Sequence, residues 1–315
     1  MDKTIVAFGE VLWDLLPSCT ALGGAPLNFT YRVNSLGDRG LMASRLGRDN
    51  LGQQAFDRIA LLGLDTRLLQ WDDELPTGTV RVSFDARNEP QCVVVPNVAY
   101  DRISLTDALA EAAETADCLC FGTLVQRASV SRATLAEVLE RGSTALKFLD
   151  VNLRRDCFDE RSVDFSLGQA DILKLNEDEA EAIGRMLEIR HGSIPDFCAA
   201  VIEEYGLRFC LVTLGDKGAF GLACDGHRAY VPGYKVAVAD SLGSGDAFSA
   251  GFVHQILQGA SLERAVAFGN VLGAIVATQT GATVPVARED LDRFLHQRVE
   301  RSIHPAFEGD VREDC

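Results

Sequence analysis

Asp240-Ser-Leu-Gly-Ser-Gly-Asp-Ala-Phe-Ser-Ala-Gly251 is the stretch on which the reading of this 315-residue chain turns. Two glycines flank Ser244, and the chain then passes directly into a helical pattern in which Phe248, Phe252 and Ile256 recur every fourth residue. Small residues at a helix N-terminus leave backbone N–H groups pointing outward, where they and the helix dipole can hold an anion. Gly243, Ser244 and Gly245 therefore predict an oxyanion or phosphate site. Asp246 falls in the first helical turn beside it, where a carboxylate can take a proton from an attacking hydroxyl. The plainer alternative is a capped helix in which Asp246 complements the dipole. A dinucleotide-binding fingerprint does not fit, because it needs a third glycine where this chain has Phe248, an early strand before it and an acidic residue about 20 positions on.

Upstream of that stretch, short apolar or β-branched runs alternate with helical patterns. The runs are Thr4-Ile-Val-Ala-Phe8, Cys118-Leu-Cys-Phe121, Leu146-Lys-Phe-Leu-Asp150, Asp171-Ile-Leu-Lys-Leu175 and Phe209-Cys-Leu-Val-Thr213; residues 106–115 and 131–141 are rich in Ala, Leu and Glu. This alternation predicts parallel strands joined by crossover helices, an α/β fold in which ligands gather beyond the carboxyl ends of the strands. Residues 76–100 read differently. Val80, Val82 and Phe84 alternate with polar residues, a polar turn spans 85–90, and Gln91-Cys-Val-Val-Val95 runs back. An antiparallel hairpin results, serving as a lid, a dimerising flap or an edge ornament. A second hairpin is signalled by residues 218–224, Asp225-Gly226 and residues 227–231, and residues 308–315 form a polar tail expected to fray.

Composition narrows the function. There are 30 Lys and Arg against 46 Asp and Glu, a formal net charge of −16, which disfavours a surface for nucleic acid or anionic lipid. Residues 4–8 are too short and lack the charged flank of a signal peptide. Residues 266–277 are interrupted by Gly269, Asn270 and Gly273 and fall short of the roughly 20 apolar residues a bilayer needs. A cytoplasmic protein without nucleic-acid or membrane partners is expected. Nine cysteines, an odd number without a CxxC pair, read as free and mostly buried thiols, and the five histidines lack zinc-ligand spacing.

A second glycine-rich segment is Leu22-Gly-Gly-Ala-Pro-Leu-Asn28, followed by Phe29, Val33 and Leu36 on one helical face and Gly37 as a stop. Pro26 suits a first helical turn, and Asn28 offers the donor and acceptor that hydroxyl recognition requires. Gly9-Glu-Val-Leu-Trp-Asp14 follows the first strand and puts Asp14 near its carboxyl end, as a site residue or a turn aspartate.

The pair Gly23-Gly-Ala-Pro-Leu-Asn28 and Asp240-Ser-Leu-Gly-Ser-Gly-Asp246 resembles the two signatures of the ribokinase-like (PfkB-type) carbohydrate kinases. Asn176-Glu-Asp-Glu179 resembles that family's NxxE motif and Val212-Thr-Leu-Gly-Asp-Lys-Gly218 its nucleotide-side TLGxxG turn, so the resemblance spans nearly the whole chain. The usual DTxGAGD appears here with Ser241 and Ser244 in place of Thr and Ala. The resemblance implies a three-layer α/β/α sandwich with a mainly parallel central sheet and a small β lid. Residues 1–315 would form one kinase domain, with the lid built from about 11–22 and 76–101. It implies transfer of the γ-phosphoryl group of ATP to a sugar hydroxyl.

By that resemblance Asp246 is the base and the amides of Gly243, Ser244 and Gly245 form the anion hole. Asn176 and Glu179 hold Mg2+ through water, although the same two residues also read as a helix capping box. Thr213, Gly215, Gly218 and Asn270 line the nucleotide, with a core polar cap as the other reading of Asn270. Asp240 and the 279–283 loop offer a site for K+. On the sugar side stand Asp14, Gly24, Asn28, Tyr100, Asn152 and Arg154, the last also readable as a solvated arginine. Within the family the chain is most similar to fructokinases, through Gly9-Glu10, Trp13-Asp14, Leu16-Pro17 and Asp150-x-Asn152-x-Arg154, although Val151 stands where they commonly have Pro. Fructose or a related ketose is thus the expected acceptor. Ribose, 2-keto-3-deoxygluconate, a nucleoside, or a catalytically silent sensor of sugar or nucleotide are the alternatives. Val80, Val82 and Val94 of the lid would cover the sugar in a monomer or pair across a homodimer.

Overall fold

Ile5, Val6, Ala7 and Phe8 belong to the first strand, β1 (Thr4–Phe8), and each is at most 1% exposed. Such a continuous apolar run is what a parallel strand covered on both faces requires. The structure is a computed structural model that describes residues 2–15, 20–84, 90–296 and 299–309. The expected Leu16-Pro17 match, the turn at 85–89 and the tail from 310 onward lie outside the described residues.

The chain packs as two units, one of Met1–Asn34, Asp38–Leu146 and Asn152–Ser162, the other of Ser35–Gly37, Lys147–Val151 and Val163–Cys315. In the first, β1 is followed by β2 (Leu12–Leu15), β3 (Thr20–Gly23), helix α1 (Ala25–Ser35), β4 (Arg39–Gly47), α2 (Asn50–Leu61) and β5 (Leu69–Asp72). Then come β6 (Gly78–Phe84), β7 (Pro90–Val94), α3 (Asp107–Thr115), β8 (Cys118–Phe121) and α4 (Ser129–Arg141). Strands β8, β1, β4 and β5 lie side by side, and each of the three pairings is parallel. A small sheet is built separately in the order β3, β2, β6, β7. The hairpin expected at residues 76–100 is present as β6 and β7, but β2 pairs parallel to β6, so the small sheet is mixed. Strand β4 went unread in the sequence because Arg39 and Arg45 interrupt its apolar pattern. Arg45 pairs with Asp72, which is 2% exposed, at 2.9 Å.

The second unit carries β9 (Leu146–Asp150), α5 (Glu160–Gln169), β10 (Ile172–Asn176), α6 (Glu177–Met186), α7 (Ile194–Tyr205), β11 (Phe209–Thr213), β12 (Ala219–Ala223) and β13 (Arg228–Val231). After them come β14 (Gly233–Tyr234), α8 (Ser244–Leu257), α9 (Leu262–Ala277), α10 (Arg288–His296) and β15 (Arg301–Ser302). Strands β9, β10 and β11 are parallel, and β12 and β13 continue the same sheet antiparallel. The second predicted hairpin is therefore an extension of the sheet. The glycines that break up residues 266–277 bring α9 against α8: a Cβ at Gly251 would lie 3.1 Å from Gly269 Cα, and one at Gly273 would lie 3.0 Å from Ser244 O. The C-terminal segment docks through Phe307, stacked 4.5 Å from Tyr230 and 5.0 Å from Phe220. Cys118, Cys120, Cys157, Cys198 and Cys210 are buried free thiols, whereas Cys224 is exposed. Among the described residues no helix is long and apolar enough to cross a membrane.

Candidate active site

The turn before α8 is shaped by one backbone angle. Gly243, the N-cap, has φ +77°, and a side chain there would also strike Ala282. Only glycine meets both conditions at low cost. Behind it Ser244 opens the helix and Asp246 stands half-buried in its first turn. The Ser244 N–H donates to Ser241 O at 3.2 Å and closes the turn. A donor committed to the backbone is not free to greet a ligand. The Ser244 hydroxyl is buried and has no hydrogen-bond partner among the described residues.

Ser244 and Gly245 line a cavity of about 450 Å³, within the size range of small-molecule sites. Thr213, Gly215, Gly218, Asn176 and Asn270, all singled out from the sequence on the nucleotide or metal side, line it too. The Asn270 side chain donates to Pro232 O at 2.8 Å, so it also pins the backbone that leads into β14. At the end of β10, Asn176 Oδ1 accepts from Glu179 N and Glu179 Oε2 accepts from Asn176 N, both at 2.8 Å. The capping box is thus formed, with Asn176 exposed at the cavity and Glu179 buried beneath it. Asp240 binds two loops, its carboxylate accepting from Leu242 N at 3.0 Å and from Gly281 N at 3.1 Å.

Reading the sequence missed Lys174. It sits inside apolar β10, its side chain 9% exposed, and its ammonium lies 3.0 and 3.2 Å from the two oxygens of Asp150. Ser249 on α8 donates to the same carboxylate at 2.8 Å. Burial alone would lower the Lys174 pKa, but Asp150, Glu179 and Asp246 outweigh it and hold the ammonium above its ordinary range. The available signal was a lysine within a buried strand, which demands a partner. Asp150 in turn spends both oxygens on these neighbours.

The residues expected on the acceptor side belong to the first unit. Gly24 has φ +114° and a side chain there would collide with Glu10 O, so the Gly-Gly turn seats α1 directly over Glu10. Asn28 is 5% exposed on the first turns of α1. On β2, burial pushes the Asp14 carboxyl above its usual range and Arg154 pulls it part of the way back. Asn152 adopts the left-handed region at φ +43° just before the exposed Arg154. Tyr100 is fully buried, its ring fills the space a side chain at Gly78 would need, and its hydroxyl accepts from Arg127 at 3.1 Å. Arg127, unread in the sequence, also binds Asp101 through two nitrogens at 2.8 and 3.0 Å and donates to Val95 O at 2.8 Å.

These features define an α/β fold with a glycine-turned helix N-terminus at a cavity of small-molecule size. Over residues 20–289 the sequence matches the pfkB family of carbohydrate kinases, and the chain belongs to that family. It is 29% identical to Fructokinase-1 of Oryza sativa subsp. japonica, covering 89% of this chain and 94% of that protein, and 26% identical to the ribokinase of Haemophilus influenzae, covering 88% of each. The fold is ribokinase-like: the crystal structure of fructokinase with bound ATP from Xylella fastidiosa superposes with a TM-score of 0.82 at 21% identity, covering 94% of this chain and 98% of that one. A fructokinase double mutant from Vibrio cholerae in its fructose-, ADP- and potassium-bound form gives 0.78 at 22% identity, covering 94% and 100%.

Proposed function

We propose that this carbohydrate kinase transfers the γ-phosphoryl group of ATP to a hydroxyl of fructose or a closely related ketose. The observation that carries the reading is the Gly243–Asp246 turn, a left-handed glycine that points a helix N-terminus, with a carboxylate in its first turn, at the 450 Å³ cavity. The fructokinases among the relatives and the ATP and fructose in the named structures support the substrates. In this reading the Asp246 carboxylate takes the proton of the acceptor hydroxyl as its oxygen bonds to the γ-phosphorus, and the bond from that phosphorus to the β,γ-bridging oxygen breaks. The amides of Gly243 and Gly245 and the α8 dipole stabilise the charge on the transferring group. Thr213, Gly215, Gly218 and Asn270 position the nucleotide; Asp14, Gly24, Asn28, Asn152 and Arg154 position the sugar.

Asn176 and Glu179 suit Mg2+ held through water, since an exposed amide and a nearly buried carboxylate leave the ion most of its hydration, as it prefers. The ion would neutralise charge on the nucleotide phosphates. A monovalent cation such as K+ would draw on the Asp240 carboxylate and on oxygens of the 279–283 loop that Asp240 ties down through Gly281 N, a loop in which Gln279 Oε1 is buried with no hydrogen-bond partner among the described residues. The reading places the enzyme in the cytoplasm, where ATP and free sugar meet.

The test is ADP release from Mg·ATP with fructose, ribose, glucose, 2-keto-3-deoxygluconate and adenosine, beside Asp246→Ala. Fructose turnover that falls by about 10³-fold in the variant is expected. Preference for another acceptor would redirect the substrate assignment. Unimpaired turnover by the variant would remove Asp246 from the chemistry.

A further inference from the structure

The buried Asp150–Lys174 pair calls for an explanation that stability does not provide. Replacing a buried ion pair by apolar side chains of similar volume is often neutral or stabilising, and β10 is otherwise apolar at Ile172, Leu173 and Leu175. A charge retained in such a strand has a task beyond holding the sheet together.

Three observations say where that charge is directed. First, Lys174 Nζ lies 3.2 Å from the place a Cβ at Gly245 would occupy. Gly245 does not share the positive φ of Gly243, so its lack of a side chain is used for space, and the ammonium occupies that space. Second, Ser249 Oγ lies 2.8 Å from Asp150 Oδ2 and 3.0 Å from Gly245 O, tying the pair to the helical turn that starts at the loop. Third, the carboxylates whose fields reach Lys174 are Asp150 on β9, Glu179 on α6 and Asp246 on α8. One ammonium thus sits against Asp150 and the back of Gly245, with the proposed base and the proposed metal-side carboxylate both attracting it.

We infer that Lys174 is a positioning residue for phosphoryl transfer: clamped by Asp150, which Ser249 holds in turn, and seated against Gly245, it supplies the fixed positive charge behind Gly245. The role follows from preorganisation. A charge locked by two contacts to a carboxylate that Ser249 fixes in turn needs no rearrangement when negative charge develops on the transferring group, and in a dry site its field is weakly screened. It also orients Asp246 by attraction. Asp150 is then the clamp on Lys174 and not a sugar ligand, while Asn152 and Arg154 on the same segment stay free to serve the acceptor side. Gly245 is constrained twice, by the ligand in front and by the ammonium behind.

The inference rests on the reading of the Gly243–Asp246 turn as the transfer site, and the experiment separates the two. Lys174→Met alone strands a buried Asp150 carboxylate and is apt to unfold the protein. The decisive variant is Asp150→Asn with Lys174→Met, which removes both charges and keeps a hydrogen-bonding group for Ser249; a melting curve verifies its fold. Expected is a fall in kcat of about 100-fold, KM for ATP and the Kd of ADP within about threefold of wild type, and a loss in affinity for ADP with aluminium fluoride that matches the fall in kcat. In Gly245→Ala, kcat falls about tenfold by displacing the ammonium, and the same change made on the double variant costs nothing further. A folded double variant with wild-type kcat and wild-type aluminium fluoride affinity would show Lys174 to be only the counter-ion of Asp150 and overturn the inference, as would full additivity with Gly245→Ala. Wild-type enzyme that binds ADP with aluminium fluoride no tighter than ADP alone would instead overturn the transfer site itself, and the inference with it.

Discussion

At the Gly243–Asp246 turn the backbone is the instrument, whereas around Tyr100 the side chains are. The turn depends on a left-handed φ that one residue type tolerates and on a side chain that must be absent beside Ala282. The Tyr100 region depends on Arg127 reaching Asp101, 26 positions earlier, while its guanidinium also covers the tyrosine ring at 5.1 Å and caps the carbonyl of Val95. The first is local geometry, written in consecutive residues. The second is a long-range clamp whose members have no sequence spacing to betray them. Damage to the turn should therefore appear in catalysis, and damage to the clamp in stability and in sugar affinity.

Gly243→Ala presses that contrast hardest. An alanine held at positive φ costs about 1–2 kcal/mol, and the collision with Ala282 adds to it, so the turn is expected to refold into another shape. Steady-state kinetics should show kcat reduced by about 100-fold with the sugar KM nearly constant. A wild-type kcat would mean that the loop tolerates other conformations. Next in size, Arg127→Met leaves the buried Asp101 carboxylate without its counter-ion. Urea denaturation is expected to report a loss of about 3 kcal/mol, accompanied by a higher sugar KM and an unchanged ATP KM. Equal rises in both KM values would erase the distinction between the two regions.

Asp14 gives a smaller effect with an unusual sign. Burial raises its folded-state pKa above the unfolded value, so the protonated form favours the fold. Its contribution to stability is fully present below the unfolded pKa and is lost as the pH rises through the folded one. At neutral pH Asp14→Asn is accordingly expected to leave Tm unchanged or slightly higher while raising sugar KM by about tenfold. Arg154→Met should shift the acid limb of kcat/KM for sugar to higher pH, because the cation that draws the Asp14 pKa downward is gone. A lower Tm for Asp14→Asn would show the carboxylate to be a structural acceptor. The mildest change is Ser244→Ala. Removing a buried hydroxyl that has no hydrogen-bond partner among the described residues should keep kcat within about threefold and leave Tm no lower. A large loss would return Ser244 to the anion hole through its side chain.

How legible each part was follows from range. Strands β1, β8, β9, β10 and β11 announce themselves as buried apolar runs, and the cavity's Thr213, Gly215 and Gly218 lie within one short turn. Strand β4 stayed hidden because its arginines suit neither a fully buried strand nor an alternating one. Residues 299–307 read as an unremarked approach to a polar tail, yet β15 pairs with β14 and Phe307 stacks on two aromatic rings. The packing of Tyr100 against Gly78, 22 positions earlier, left no mark in the sequence.

By itself the sequence determined the α/β class, the family and the glycine turn with Asp246, because hydrophobic periodicity and the conformational needs of glycine act between near neighbours. Only the tertiary structure decided that Asp150 meets both Lys174 and Ser249, that Arg127 holds Asp101 and Tyr100, and that the Ser244 amide donates to Ser241 O. Those outcomes depend on burial and on charges meeting across elements. A buried charge finds its partner through the packing of the whole unit, and no spacing along the chain records which partner that will be.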